Sequence, residues 1–281
     1  MSMHGGGQST LEYYPCRYGN SRVLFRGPRR PLDGAYVAFV GATETYGRFI
    51  ETPFPKLVED AVAVSCVNFG AVNAGVDLYL NDPAVLDLIT QAEVKVVQIM
   101  GAQNMANRYY AVHPRRNDRF LRASDRLEEL YPEVDFTEFH FVRHMLGRLQ
   151  EVSEERFAII VDELRLAWVA RMKQLLTQIH GQVVLLWFAG SPPPQDDLPD
   201  LGQDPLFITR DMIETLQPRV TKVVEVLPSA AAREDGTTGM VYSDFESYAA
   251  QELQGPRAHQ EAASKLAQVL APMLGRAAPP D

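Results

Sequence analysis

Five short apolar runs, four of them ending at glycine or within one residue of it, constrain this chain more than any other feature. They are Tyr36-Val-Ala-Phe-Val-Gly41, Val64-Ser-Cys-Val-Asn-Phe-Gly70, Val94-Lys-Val-Val-Gln-Ile-Met-Gly101, Gln182-Val-Val-Leu-Leu-Trp-Phe-Ala-Gly190 and Val220-Thr-Lys-Val-Val-Glu-Val-Leu227. Near-continuous apolar runs of this length fit strands buried on both faces. Between them lie segments with helical spacing: Phe54 to Ala63, Pro83 to Ala92, Glu154 to His180, and a last one from about Arg257 to Leu274. Ser153 before Glu154 and Glu155 is a good helix start. Alternation of this kind predicts a doubly wound α/β fold, a flavodoxin-like parallel sheet of five strands.

Residues 1–34 read as an N-terminal arm, mobile over its first ten residues and rich in arginine and aromatics after them. Residues 35–281 read as a single α/β domain. Gln103 to Ser153 is too long for one crossover and is expected to be an inserted, largely helical cap at about 103–153. Residues 191–206 form a Pro/Asp-rich loop. There is no internal repeat.

Composition narrows the function classes. The 281 residues carry a net charge of −9, which argues against a general nucleic-acid binder, since that needs a broad positive face. No apolar run approaches the ~20 residues of a membrane span. Met1 to Thr10 has no signal-peptide pattern. Cys16 and Cys66 lie far apart with no CxxC, so a reduced, cytoplasmic protein is expected. His140 and His144 have helical metal-pair spacing but no evident third ligand. Walker and dinucleotide-binding glycine motifs are both lacking. Neither a metal nor a cofactor is expected.

Ligands of such sheets sit beyond the carboxyl ends of the strands. There the sequence reads Gly41-Ala-Thr-Glu-Thr45 after the first strand, Asn68-Phe-Gly70 at the second and Gly101-Ala-Gln-Asn104 after the third. His259 opens the last helix. A hydroxyl, a glycine N–H, side-chain amides and an imidazole are the parts of an acyl-transfer site. The alternatives are plainer: Thr43 as a helix cap and Gly70 as a turn glycine.

In these blocks the chain resembles the SGNH (GDSL-like) hydrolase superfamily, over roughly residues 35–101 and 182–274. The resemblance implies Thr43 as nucleophile and His259 as base. Gly70, Gln103 and Asn104 would form the oxyanion hole. Threonine stands where that superfamily has serine, Ala42 replaces its aspartate, and Pro256 replaces the acid before the histidine. Glu44, Asp244 or Glu252 would have to serve instead. The chain is also similar to an uncharacterised bacterial family known only as a domain of unknown function. Phe25-Arg-Gly-Pro28, Glu44-Thr-Tyr-Gly47, Gly101-Ala-Gln-Asn104 and His113-Pro-Arg-Arg-Asn-Asp-Arg-Phe120 carry that likeness.

Arg108, Arg115, Arg116 and Arg119 concentrate in the cap, and guanidinium forks suit anionic groups. The expected activity is that of an SGNH-like esterase or acyltransferase acting on an anionic, possibly saccharide, small molecule. One alternative is a non-catalytic relative binding an anionic glycan or nucleotide-like ligand. A further alternative is a sulfuryl or other group transferase using the arginines.

Overall fold

The computed structural model describes residues 11–195, 201–202 and 204–278. The first ten residues and part of the Pro/Asp-rich loop lie outside these. Among the described residues there are seven strands: β1 (Tyr36–Val40), β2 (Ser65–Asn68), β3 (Val94–Gln98), β4 (Tyr110–His113), β5 (Arg116–Ala123), β6 (Gln182–Phe188) and β7 (Lys222–Val226). Five of them form one sheet in the order β2-β1-β3-β6-β7, with every pairing parallel. This is the doubly wound, flavodoxin-like sheet expected from the five runs. Strand order reverses at β1, which pairs with β2 on one side and β3 on the other. That reversal opens a crevice at the carboxyl edge.

Burial on both faces explains the unbroken apolar runs, and all five residues of β1 are buried. Below one face packs the 25-residue helix Glu154–Gln178, which buries Phe157, Ile160, Val161, Leu164, Trp168, Met172, Leu175 and Leu176. Ser153 caps it, its side chain accepting from Arg156 N–H, with Glu154 and Glu155 in the first turn. Trp168 Nε1 donates to the Met100 carbonyl at 2.8 Å, tying this helix to the chain leaving β3. The other face carries helices Phe54–Val62 and Pro256–Met273. The latter buries Ala258, Ala262, Ala263, Ala267 and Ala271, small residues that permit close helix–sheet approach.

The segment 103–153 differs from the expected helical cap. It opens with an antiparallel hairpin, β4–β5, before helices Asp125–Leu130 and Val142–Val152. The hairpin is irregular, with register shifts on either side of Val112, and the buried residues of β5, Asn117 and Phe120, lie three apart with Arg116 and Arg119 exposed. Asn117 is 0% exposed. Its Oδ1 accepts from Gly75 N–H at 2.9 Å and its Nδ2 donates to the His113 carbonyl, which pins the hairpin beside the sheet edge.

The arm packs against the chain that follows β1. Tyr18 and Phe25 also meet Phe69, just after β2, edge to face. Arg26, 7% exposed, donates to the carbonyls of Gly47 and Glu51. Burial pulls its pKa down, and its ring neighbours Tyr13 and Tyr46 counter this in part.

Candidate functional site

A cavity of about 330 Å³ lies at the carboxyl ends of β1, β3 and β6. Its polar lining includes Thr43, Glu44, Arg48, Asn73, Gln98, Gln103, Asn104, Arg143, Asp204, Glu252 and Gln254, with Tyr248 at the rim.

The turn after β1 is tight. A Cβ on Gly41 would collide with the Thr45 and Gln98 side chains, so only glycine fits there. The Tyr79 hydroxyl accepts from Gly41 N–H at 3.1 Å and faces the carbonyls of Gly41 and Phe69. Burial raises its pKa and keeps it protonated. Gln98 fixes the next turn: its Oε1 accepts from Ala42 N–H, Thr45 N–H and the Thr45 hydroxyl.

Thr43 is the first residue of the short helix Thr43–Tyr46, and the cap position before it is Ala42. The capping role is therefore not its own. Its hydroxyl donates to Asn73 Oδ1 at 3.2 Å and accepts from Asn73 N–H at 3.0 Å. Asn73, in left-handed backbone at φ 55°, is a hub. Its carbonyl accepts from Asn104 Nδ2, and its own Nδ2 donates to Asp118 Oδ2 at 3.3 Å.

His259 is fully buried and does not line the cavity. It sits between the rings of Phe54 and Phe188, with centroids at 5.7 and 5.3 Å. Its Nδ1 accepts from Phe54 N–H at 3.2 Å, which places the ring proton on Nε2. Nε2 lies 3.5 Å from Glu44 Oε2, too long for a good hydrogen bond. Among the described residues Nε2 has no hydrogen-bond partner. Glu44 Oε1 accepts from Gln254 N–H at 3.0 Å.

The expected nucleophile and base are thus not brought together: Thr43 pairs with Asn73, and His259 backs Glu44 from below. Of the three acids considered from sequence, Glu44 is the one against the imidazole. The sequence signal against His259 as a cavity base is its spacing. With Ala262, Ala263 and Leu266 it shares the stripe that faces the sheet.

The expected oxyanion donors are engaged in whole or in part. Gly70 N–H donates to Asn68 Oδ1 at 2.8 Å, an Asx turn, and Gly70 does not line the cavity. Gln103 and Asn104 do line it. However, Gln103 Nε2 donates to Asp204 Oδ1 and Asn104 Nδ2 to the Asn73 carbonyl.

None of the four cap arginines lines the cavity. Arg108 pairs with Glu163 at 2.9 Å, Arg116 approaches Asp118 at 3.9 Å, Arg119 covers the Phe141 ring, and Arg115 sits in the exposed hairpin turn. All four are exposed. The cavity's guanidiniums are Arg48 and Arg143 instead. Arg48 pairs with Glu246 at 3.1 Å, and Arg143 donates to the carbonyls of Leu201 and Gly202. Hydrogen bonds from Ser243, reinforced by Arg48, hold the Glu246 carboxyl below the usual range. No group of three or more His, Cys, Asp or Glu able to hold a metal ion occurs among the described residues. Among those residues no helix is long and apolar enough to cross a membrane.

Residues 1–274 match the model of the family described as Domain of unknown function (DUF6473). The chain belongs to that family. No curated protein matches its sequence. Solved structures that resemble it include a lipase, Lip_vut3, from a goat rumen metagenome. That pair shares 12% identity over 83% of this chain and 96% of the lipase, with a TM-score of 0.41. An acetylxylan esterase, Axe2, from Geobacillus stearothermophilus shares 14% identity over 88% of this chain and 97% of its own, with a TM-score of 0.40. BT4096, a gut microbial diltiazem-metabolizing enzyme, shares 12% identity over 83% of this chain and 46% of its own, with a TM-score of 0.38. The family member described here has an α/β fold around a five-stranded parallel sheet.

Proposed function

We propose that this chain binds a small hydroxyl-rich ligand of the saccharide class, bearing an acidic or acyl group, on a hydrolase-like scaffold without a nucleophile–base pair. The observation that carries this reading is the separation of Thr43 from His259. The hydroxyl is hydrogen-bonded to Asn73 on both its donor and acceptor sides, and the imidazole is buried away from the cavity. The lining supports it too. Amides and carboxylates with two guanidiniums offer both donors and acceptors to a ring of hydroxyls. The test is reactivity. Wild-type protein should neither hydrolyse p-nitrophenyl acetate above the solvent rate nor gain mass from a fluorophosphonate. Covalent labelling of Thr43 would overturn the reading.

An ester hydrolase or acyltransferase is the second reading, and Glu44 favours it. Its carboxylate lines the cavity, held by Gln254 N–H and backed by His259. As general base it would take the proton of a water or acceptor hydroxyl attacking the ester carbonyl. Under this reading p-nitrophenyl acetate turnover survives Thr43→Ala and falls about 10²-fold or more in Glu44→Gln. The sulfuryl-transfer alternative rested on arginines that lie outside the cavity and gains no support.

A further inference from the structure

Gln98 is the last residue of β3 and is 6% exposed. Three donors converge on its carbonyl oxygen: Ala42 N–H at 3.1 Å, Thr45 N–H at 3.2 Å and the Thr45 hydroxyl at 2.6 Å. They decide which end of the amide is which. A flipped amide would set its NH2 against two N–H groups. The nitrogen is therefore the free end, with two N–H donors and no hydrogen bond to any described residue. Gln98 lines the cavity together with Ala42 and Thr43. That nitrogen is not sealed inside the protein: it opens onto the cavity, a donor fixed in place and available to a ligand.

Of the other donors expected at this edge, Gly70 N–H is taken by Asn68, and Gln103 Nε2 and Asn104 Nδ2 each give one N–H to a protein acceptor, whereas Gln98 Nε2 gives none. We infer that Gln98 Nε2 is the donor that holds a carbonyl or carboxylate oxygen of the bound ligand, beside Thr43. This rests on the reading of the cavity as a saccharide-class site. It adds where that ligand docks: by the sp2 oxygen of its acidic or acyl group, as in a uronic acid or an acylated sugar, at the end of β3. The rigid anchoring of Gln98 pre-organises the contact, so little side-chain entropy is lost on binding.

Titration followed by 1H–15N spectra of the side-chain amides tests the inference, with the Gln98 pair assigned in wild-type protein. The probes are D-glucuronate, N-acetyl-D-glucosamine and D-glucose, which offer a carboxylate, an acyl carbonyl and neither. Saturable movement of the Gln98 pair with one or both of the first two, and at least tenfold weaker response to glucose, is expected. Gln98→Glu keeps an oxygen for the three donors but replaces the free N–H with an acceptor. It should weaken the responding probe at least tenfold at an unchanged melting temperature. Binding that moves other cavity amides but leaves the Gln98 pair still overturns the inference and spares the cavity reading. So does equal response to glucose, or undiminished binding by Gln98→Glu. Absence of saturable shifts with all three probes overturns the saccharide reading and the inference with it.

Discussion

The His259 imidazole lies 3.5 Å from the Glu44 carboxylate, sealed from the cavity that this carboxylate lines. The pair joins the last helix to the turn after β1. Its ring also fills the space between Phe54 and Phe188. His259→Ala should therefore act first on stability. Truncating a buried ring leaves a cavity, and Phe54 N–H loses its acceptor. A loss of about 3–5 kcal/mol is expected, read as a fall in the guanidinium midpoint at constant m-value. A loss under about 0.5 kcal/mol, the range of an ordinary surface change, would mean that the ring is not packed as described.

The sheet and its order were legible because a strand buried on both faces leaves little room for polar residues. The site was less so. Thr43, Gln103 and Asn104 do reach the cavity, since anything at a strand's carboxyl end must lie near it. Gly70 and His259 do not, because a motif's spacing says nothing of which way a side chain turns or whether an N–H is already engaged. Gln98 was hidden inside an apolar run, although a glutamine in a doubly buried strand was itself the signal. Arg48 and Arg143 come together from segments 95 residues apart, which no local pattern records. The cap's hairpin was masked because it is irregular: its buried Asn117 and Phe120 lie three residues apart, a spacing that also suits a helix.

Arg210 and Glu225 predict a pH dependence. The guanidinium grips the carboxylate at 2.6 and 3.0 Å, joining helix Arg210–Glu214 to β7. These hydrogen bonds lower the Glu225 pKa against a smaller opposing effect of burial. A carboxyl depressed on folding stabilises above its unfolded pKa, about 4.3. That contribution disappears as pH falls through the lower folded value. Glu225→Gln should cost about 0–1 kcal/mol at pH 7, since the pair is partly solvated, and less at pH 3. Urea melts at the two pH values read the difference. A larger cost at pH 3 would reverse the sign and sink the assignment.

Cys66 should be chemically silent in the folded protein. Burial pushes its thiol well above the ordinary range, and nearby Glu59 adds to the effect. The thiolate is the reacting form, so both exposure and ionisation are withheld. Iodoacetamide at pH 8 should modify Cys66 no faster than global unfolding allows, with Cys16, partly exposed, ahead of it. Mass spectrometry of timed digests gives both rates, and equal rates under native conditions would refute the packing.

Asn117 couples the hairpin to the cavity. It is fully buried, accepts from Gly75 N–H and donates to the His113 carbonyl. Its neighbour Asp118 accepts from Asn73, which in turn holds the Thr43 hydroxyl. Asn117→Ala removes both hydrogen bonds and leaves a buried N–H without an acceptor, at a cost of about 1–3 kcal/mol. Asn117→Asp keeps the acceptor for Gly75 but sets a carboxylate against the His113 carbonyl, so it should destabilise as well and recover at low pH. The cavity should respond in both variants. With the hairpin loosened, Asp118 no longer positions Asn73, and the side-chain amide resonances of Asn73 and Asn104 should shift. The Gln98 pair, anchored from β1 and its following turn, should not. Equal movement of all three would show that the cap supports the whole cavity floor and not only its Asn73 side.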